Sequence, residues 1–173
     1  MKKIGLFYGS DTGNTEVISG LIQKKIGEEL VDIFDVYDCS PSKILEYHHI
    51  IIGLSTWHDG QLVSAFDEIE EELQKMDFTG KKVALFGLGD QFGYADYFID
   101  GVGIVGKIIT NNGGQLVVDW PTNEYDYEES KADKGNGFFM GLALDEDNQD
   151  AFTEERLDKW IPMVLEAFFL NEH

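Results

Sequence analysis

The sequence predicts an α/β fold in which a doubly wound, five-stranded parallel sheet is covered by helices on both faces. Short and nearly continuous apolar runs, which are typical of strands buried on both sides, alternate with segments whose apolar residues recur at helical spacing. A length of 173 residues is enough for one domain with a sizeable core. We therefore interpret residues 1–173 as a single domain.

The predicted elements alternate along the chain. Strands are predicted at 3–8, 30–36, 49–54, 82–88 and 115–118. Helical spacing begins near Val17, Leu62, Ala95 and Thr153, and Pro41 opens a shorter helix. Strands that alternate with helices in this way are expected to lie parallel in one sheet.

The last strand departs from this simple pattern. Residues from about 120 to 137 are polar and dotted with aromatic side chains, and an apolar run resumes at 138–144. We interpret this segment as a long insertion that interrupts the last strand. The glycines at 101, 103 and 106 match a dinucleotide-binding pattern literally, but they fall inside a predicted helix rather than after a strand. Close helix packing is their expected role.

The turn after the first strand is rich in hydroxyl groups and glycine. Its residues are Ser10, Asp11, Thr12, Gly13, Asn14 and Thr15. The first amides of a helix have no intrahelical partner and lie at the positive end of the helix dipole, so this turn is suited to a phosphate. It contains no Lys or Arg, which favours one terminal phosphate on a ligand over a nucleotide triphosphate. The same residues are also common in an ordinary N-capped helix.

Two further loops follow strands and are expected at the same edge of the sheet. One contains Thr56, Trp57, His58 and Gly60, and the other contains Gly89, Asp90, Tyr94 and Tyr97. Trp57 and Tyr94 are suited to cover the two faces of a flat apolar ring. For either aromatic residue alone, ordinary loop packing is the alternative.

These motifs together resemble the flavodoxin family, in its long-chain type, over essentially the whole chain. The residues that carry the resemblance are Tyr8-Gly9-Ser10-Asp11-Thr12-Gly13-Asn14-Thr15, Thr56-Trp57, Gly87-Leu88-Gly89-Asp90-Gln91, Gly93-Tyr94 and Gly141-Leu142-Ala143-Leu144-Asp145-Glu146-Asp147-Asn148-Gln149. The segment before Gly141 is similar to the insertion that defines the long-chain type.

The resemblance implies one noncovalent FMN. Its phosphate would be held by the turn from Ser10 to Thr15, and its ring would lie between Trp57 and Tyr94. The resemblance further implies that Gly89 and Asp90 bond the pyrimidine edge of the ring and that Thr56 and Asp147 lie near the ribityl chain. His58, Gly60 and Tyr97 complete the candidate cofactor-binding residues.

The function implied by the resemblance is a low-potential one-electron carrier, with no catalytic residue and no metal of its own. The implied partners are basic redox proteins, namely a ferredoxin/flavodoxin-NADP reductase upstream and acceptor enzymes downstream. The net charge of -20 favours basic protein partners and argues against nucleic acid and anionic membranes. The single cysteine, Cys39, and a first strand without a preceding apolar leader lead us to expect a cytoplasmic protein. We also expect a monomer.

Two other classes of function stay open at this point. One is a small FMN-dependent NAD(P)H or quinone oxidoreductase on the same fold, against which the scarcity of basic residues argues. The other is a binding module that has the fold but no redox activity. Reduction by NAD(P)H alone would favour the first, and failure to bind FMN would favour the second.

Overall fold

The computed structural model describes residues 3–10, 12–57 and 60–169, apart from the side chain of Trp57. The strands are β1 (Ile4–Gly9), β2 (Val31–Asp35), β3 (His49–Trp57), β4 (Gln61–Leu62), β5 (Lys82–Leu88), β6 (Gln115–Leu116), β7 (Trp120–Pro121), β8 (Phe138–Phe139) and β9 (Leu142–Leu144). The α-helices are α1 (Asn14–Ile26), α2 (Ser64–Lys75), α3 (Asp100–Asn111) and α4 (Thr153–Phe169). Short 3-10 helices span Val36–Asp38, Pro41–Glu46, Ala95–Tyr97 and Asp150–Phe152.

The main sheet has the strand order β2-β1-β3-β5, with all neighbours parallel. The far edge of β5 is shared by two short parallel strands. β6 pairs with its first residues, Lys82 and Val83, and β9 pairs with its last residues, from Phe86 to Leu88. The predicted five-stranded sheet with an interrupted last strand is therefore confirmed.

The core lies on both faces of this sheet, as the apolar runs predicted. β1 is buried at every residue, and β5 is buried at every residue except Lys82. Large fully buried rings, including Phe7, Phe66, Phe86 and Trp160, fill the layers between the sheet and the helices. Within the described part of the chain, no helix is both long enough and apolar enough to cross a bilayer.

The helix predicted from about Ala95 to Thr110 is divided in two, so this prediction was wrong in its first part. Ala95–Tyr97 is a 3-10 helix, and α3 begins only at Asp100. Between them Ile99 has a φ of 45°, a left-handed conformation that costs energy for a β-branched residue. The side chains of Phe98 and Ile99 are almost completely buried, and their burial compensates for this strain.

The boundaries of one strand and one further helix also differ from the predicted ones. The strand predicted at 115–118 is shorter, since only β6 is extended and Val118 has a φ of 65°. The helix predicted from Leu62 begins at Ser64, because Leu62 lies in β4 and pairs antiparallel with Thr56.

The insertion folds back as the short antiparallel pair β7 and β8, so it extends to Phe139. Of the run 138–144 that was predicted to resume the strand, only Leu142–Leu144 rejoins the main sheet. Its aromatic side chains form a cluster with the buried ring of Phe98. The ring centroids of Tyr125, Tyr127 and Phe139 lie 5.6, 5.6 and 5.9 Å from that of Phe98. The insertion is therefore packed on the body of the protein.

A glycine in α3 permits this close packing. A Cβ atom on Gly103 would lie 2.3 Å from the backbone carbon and oxygen of Lys131, in the insertion. Real Cβ contacts of this kind do not occur, so the insertion could not keep its position against a larger residue. The glycine pattern in this helix serves packing, as expected.

We predict that Gly103→Ala destabilises the protein by about 1–3 kcal/mol, because the insertion must move away from α3. This steric cost outweighs the gain in helix propensity of about 1 kcal/mol. The measurement is urea unfolding followed by circular dichroism. The control is Gly20→Ala in α1, where a Cβ would meet nothing within 4 Å and stability should rise. Equal changes in the free energy of unfolding for Gly103→Ala and Gly20→Ala would contradict the prediction.

Candidate cofactor site

Three loops meet at one edge of the sheet. In the parallel register, Gly9 at the end of β1 is beside Leu54 of β3, and Ser55 of β3 is beside Leu88 at the end of β5. The segments that follow these strands are therefore neighbours. They contain the residues that the sequence singled out.

The first segment is the turn between β1 and α1, which includes Ser10, Thr12, Gly13, Asn14 and Thr15. Gly13 is the residue before the helix and has a φ of 93°, and a Cβ there would meet nothing within 4 Å. Its N–H donates to Ser10 Oγ at 2.8 Å, which leaves the hydroxyl proton of Ser10 available to a ligand. Among the residues that the structure describes, no side chain caps the start of α1. Asp11 lies outside the described residues.

Thr15 has an unusual position in this turn. The residue is completely buried, and its Oγ1 has no hydrogen-bond partner among the described residues. Buried hydroxyls are normally paired, so an unpaired one indicates a missing partner. Because it lies in the first turn of α1, at the positive end of the helix dipole, an anionic oxygen is the partner that suits it.

The second segment is a hairpin formed by β3 and β4. Thr56 pairs with Leu62, and Trp57 pairs with Gln61. Gly60 has a φ of 82°, and a Cβ on it would lie 2.7 Å from Asp100 Oδ2 and 3.0 Å from Tyr97 Cδ1. The structure thus brings Gly60 and Tyr97 together. His58 and the side chain of Trp57 lie outside the described residues.

Thr56 connects this hairpin to the first turn of α3. Its Oγ1 accepts a hydrogen bond from the backbone N–H of Gly101 at 2.8 Å, and the residue is buried. Asp100, the first residue of α3, is also buried, and its carboxylate accepts from the N–H of Lys131. Burial raises the pKa of Asp100, while the Lys131 amide and ammonium oppose that shift.

The third segment follows β5, and the carboxylate of Asp90 shapes it. Asp90 Oδ1 accepts from the N–H of Phe92 at 3.1 Å, from the N–H of Gly93 at 2.7 Å and from Asn148 Nδ2 at 2.8 Å. Burial would raise the pKa of Asp90, but these hydrogen bonds outweigh burial and hold the pKa below its ordinary value. The Gly89 N–H donates to the carbonyl of Leu144, so this loop is joined to the end of β9.

Sequence reasoning missed the residues that fix this loop in place. Asp145 is completely buried and accepts from the backbone N–H and the Nε2 of Gln91, at 3.1 and 2.7 Å. It also accepts from the N–H and the Nδ2 of Asn148. Gln91 Oε1 in turn accepts from the N–H of Asp126 in the insertion. A carboxylate directly after the apolar run 138–144 was the available signal.

The remaining candidates lie closer to solvent. Tyr94 is half-buried, and its N–H donates to the carbonyl of Asp90. Asp147 is exposed in the turn after β9. Burial, followed by the nearby carboxylates of Asp90 and Asp145, raises the pKa of Asp147. Among the residues that the structure describes, no group of three His, Cys, Asp or Glu side chains could hold a metal ion.

The site and fold can be compared with known proteins. The family model for flavodoxin matches residues 6–160. This chain belongs to the flavodoxin family. A flavodoxin of Synechocystis is 51% identical over 165 residues, which cover 95% of this chain and 96% of that relative. A flavodoxin of Haemophilus influenzae is 44% identical and covers 99% of both chains.

Solved structures agree with the family assignment. A crystal structure of Fusobacterium nucleatum flavodoxin bound to flavin mononucleotide has a TM-score of 0.90 and 33% identity, over 97% of this chain and 99% of that one. A K13G mutant of that flavodoxin, also bound to flavin mononucleotide, gives the same TM-score at 34% identity, over 97% of this chain and 98% of that one. The resemblance to the flavodoxin family is confirmed, and the length of the chain fits the long-chain type.

In this flavodoxin, Asp90 is expected to stabilise the fold only in its ionised form. Its folded pKa is lowered, so its contribution is complete above the unfolded value of about 4 and is lost as the pH falls through the folded pKa. We predict that Asp90→Asn has a lower free energy of unfolding than the parent at pH 7. The difference between the two free energies should become smaller below about pH 4. The measurement is urea unfolding at a series of pH values.

Asp96→Asn is the matched control, because Asp96 is an exposed carboxylate in the same loop. The free energy of unfolding of Asp96→Asn should match that of the parent at every pH in the series. A difference between Asp90→Asn and the parent that stays constant from pH 7 to pH 3 would contradict the role assigned to the charge.

Proposed function

We propose that this flavodoxin binds one FMN noncovalently and carries single electrons between redox proteins. The observation that supports this most directly is the start of α1, where the buried Thr15 Oγ1 has no partner among the described residues and a Cβ on Gly13 would meet nothing within 4 Å. As a flavodoxin, it is an electron-transfer protein and not an enzyme. The FMN-dependent oxidoreductase alternative is therefore not favoured.

The residues of the first turn fit the phosphate of FMN. Ser10, Thr12 and Thr15 provide hydroxyl donors, and Gly13 and Asn14 provide backbone amides at the start of α1. This group of donors is neutral, so the phosphate keeps its negative charge when it is bound. Dipoles and hydrogen bonds hold it instead of a cation.

The other two loops fit the remainder of the cofactor. Trp57 and Tyr94 would cover the flavin ring, and the loop that Asp90 holds would present the backbone of Gly89 and its neighbours to the pyrimidine edge. Thr56 and Asp147 would lie near the ribityl chain, and His58, Gly60 and Tyr97 would complete the surroundings. When it is bound, FMN supplies the one-electron chemistry, and the protein supplies binding, orientation and electrostatics.

The charges around this site favour a low reduction potential. Asp90, Asp145 and Asp147 lie close enough together that the first two raise the pKa of the third, after burial. The whole chain carries a net charge of -20. A negative surrounding potential disfavours the addition of electrons to a bound group, so the protein gives electrons up readily.

The test of the proposed function is a redox titration of the purified protein under anaerobic conditions, followed by visible absorption. We expect a yellow protein whose flavin is released by acid and whose reduction resolves into two one-electron steps at low potential. NAD(P)H alone should not reduce it. A protein that stays colourless with added FMN would overturn the proposal, and direct turnover of NAD(P)H would replace it with the oxidoreductase function.

We predict that Thr15→Val weakens FMN binding at least tenfold, because a hydrogen bond to a charged group contributes about 1.5–3 kcal/mol. Riboflavin, which lacks the phosphate, should bind the variant and the parent equally well. The measurement is fluorescence titration of the apoprotein with each flavin. Unfolding of the apoprotein should show no loss of stability, since the hydroxyl has no partner to lose among the described residues.

Ser19→Ala is the control for this variant. Ser19 lies one turn later in α1, is equally buried, and donates its hydroxyl to the carbonyl of Thr15 at 2.7 Å. Its removal should lower stability and leave the ratio of FMN to riboflavin affinity unchanged. An unchanged ratio in Thr15→Val as well would show that Thr15 does not hold the phosphate.

The proposed partners are basic redox proteins, with a ferredoxin/flavodoxin-NADP reductase upstream and acceptor enzymes downstream. The exposed acidic face of α2, with Asp67, Glu68, Glu71 and Glu72, is suited to such partners. We further propose that the protein acts as a monomer in the cytoplasm. Sedimentation of the FMN-loaded protein tests the monomer.

We predict that electron transfer from such a reductase slows steeply as salt is raised, because exposed charges are screened beyond about 8 Å at 0.15 M ionic strength. Stopped-flow kinetics between 20 and 500 mM NaCl give the measurement. A rate that does not depend on salt would contradict electrostatic steering by the acidic surface.

A further inference from the structure

A second cavity lies away from the three loops, between the insertion and α4. Its volume is about 650 Å³, which is within the range of small-molecule sites. The start of the insertion forms one wall with Trp120 and Pro121, and the region around α4 forms the other with Phe152 and Met163. Phe152 and Met163 are 48% and 39% exposed, so their wall is open to a ligand, whereas Trp120 in the other wall is 7% exposed.

Arg156 lines this cavity and is almost completely buried, at 3% exposure. Its Nε and Nη1 have no hydrogen-bond partner among the described residues. Its one ionic contact in the described part of the chain is from Nη2 to Glu124 Oε2, at the long distance of 3.5 Å. A buried guanidinium with five N–H donors is normally well paired, so the pairing of Arg156 among the described residues is incomplete.

The aromatic surroundings hold Arg156 in place. The guanidinium carbon lies 4.4 Å from the ring centroid of Tyr125 and 5.5 Å from that of Phe152. Tyr125 is itself fixed, because its hydroxyl accepts from Trp120 Nε1 and donates to the carbonyl of Ala143. Stacking of this kind stabilises the cation but satisfies none of its N–H groups.

The chemistry of the cavity defines its ligand. A guanidinium matches the two oxygens of a carboxylate, and the faces of Trp120 and Phe152 match a flat apolar ring. The indole N–H of Trp120 is already bonded to Tyr125, so Trp120 presents only its apolar ring. Gln149, which also lines the cavity, has a buried Oε1 that no described residue pairs with.

We propose that this cavity binds a small aromatic carboxylic acid whose carboxylate pairs with Arg156 while its ring lies between Trp120 and Phe152. The ligand displaces the side chain of Glu124, which is 63% exposed and only weakly bonded. This site does not depend on the proposed function, because it shares no residue with the three loops.

The experiment uses the protein as isolated, with any bound flavin, and titrates it with naphthalene-2-carboxylate. Binding is followed by NMR through the backbone amides and the Nε–H resonance of Arg156. Naphthalene-2-carboxamide has the same ring without the charge, and octanoate has the charge without the ring. We expect saturable shifts in α4 and the insertion with the aromatic acid, and at least tenfold weaker binding of both comparison compounds.

Two variants separate recognition of the carboxylate from general attraction. Arg156→Met keeps the apolar packing and should weaken binding of the acid at least tenfold, the size expected for loss of a charged hydrogen bond. Lys159→Gln is its control, because Lys159 is a 63% exposed cation on the same rim and should change affinity less than threefold.

Glu124→Gln tests carboxylate recognition by a change that should strengthen binding. It keeps Arg156 in place, so the proposal can still be tested if Arg156→Met does not fold. Removal of the competing carboxylate should strengthen binding of the aromatic acid several-fold. The absence of shifts in both the parent and Glu124→Gln at millimolar acid would overturn the proposal. So would equal binding of the carboxamide, or shifts confined to the three loops.

Discussion

The edge of β5 that faces away from β3 is the constraint on which the rest of the structure depends. β5 is buried and pairs along one side with β3, so the backbone groups on its other side must also find partners. No single strand covers that edge. β6 pairs with its beginning and β9 with its end, and the chain between them must leave the sheet and return to it. The insertion is therefore fixed at both ends by the same strand.

This pairing also positions the cofactor loops. Because Leu144 ends β9 beside Leu88, Asp145 emerges next to the loop that follows β5. Its buried carboxylate then holds Gln91 and Asn148, and Gln91 holds the insertion through Asp126. A buried charge requires this many partners, so the cluster specifies one arrangement of the loop and the insertion. The insertion is thus part of the support for the site.

Local patterns predicted the strands and helices, because burial on two faces leaves a continuous apolar run in the sequence and burial on one stripe leaves a periodic one. The turn from Ser10 to Thr15 was also predictable, since a helix start is a local feature. The contact between Gln91 and Asp145 spans 54 residues and depends on strand register, which no local pattern records. The left-handed Ile99 was missed for a related reason, because only the packing around its buried side chain enforces that conformation.

The two proposed anion sites use opposite physical solutions. The turn at Thr15 offers hydroxyls, amides and a helix dipole but no cation, so the negative charge of a bound phosphate stays uncompensated. That charge adds to the acidic surroundings and favours release of electrons from the same cofactor. Arg156 instead places a full positive charge in a buried position, in a chain that has 33 acidic residues available to pair with it. Among the described residues only Glu124 forms an ion pair with it, at 3.5 Å, so its geometry leaves room for the carboxylate that we propose.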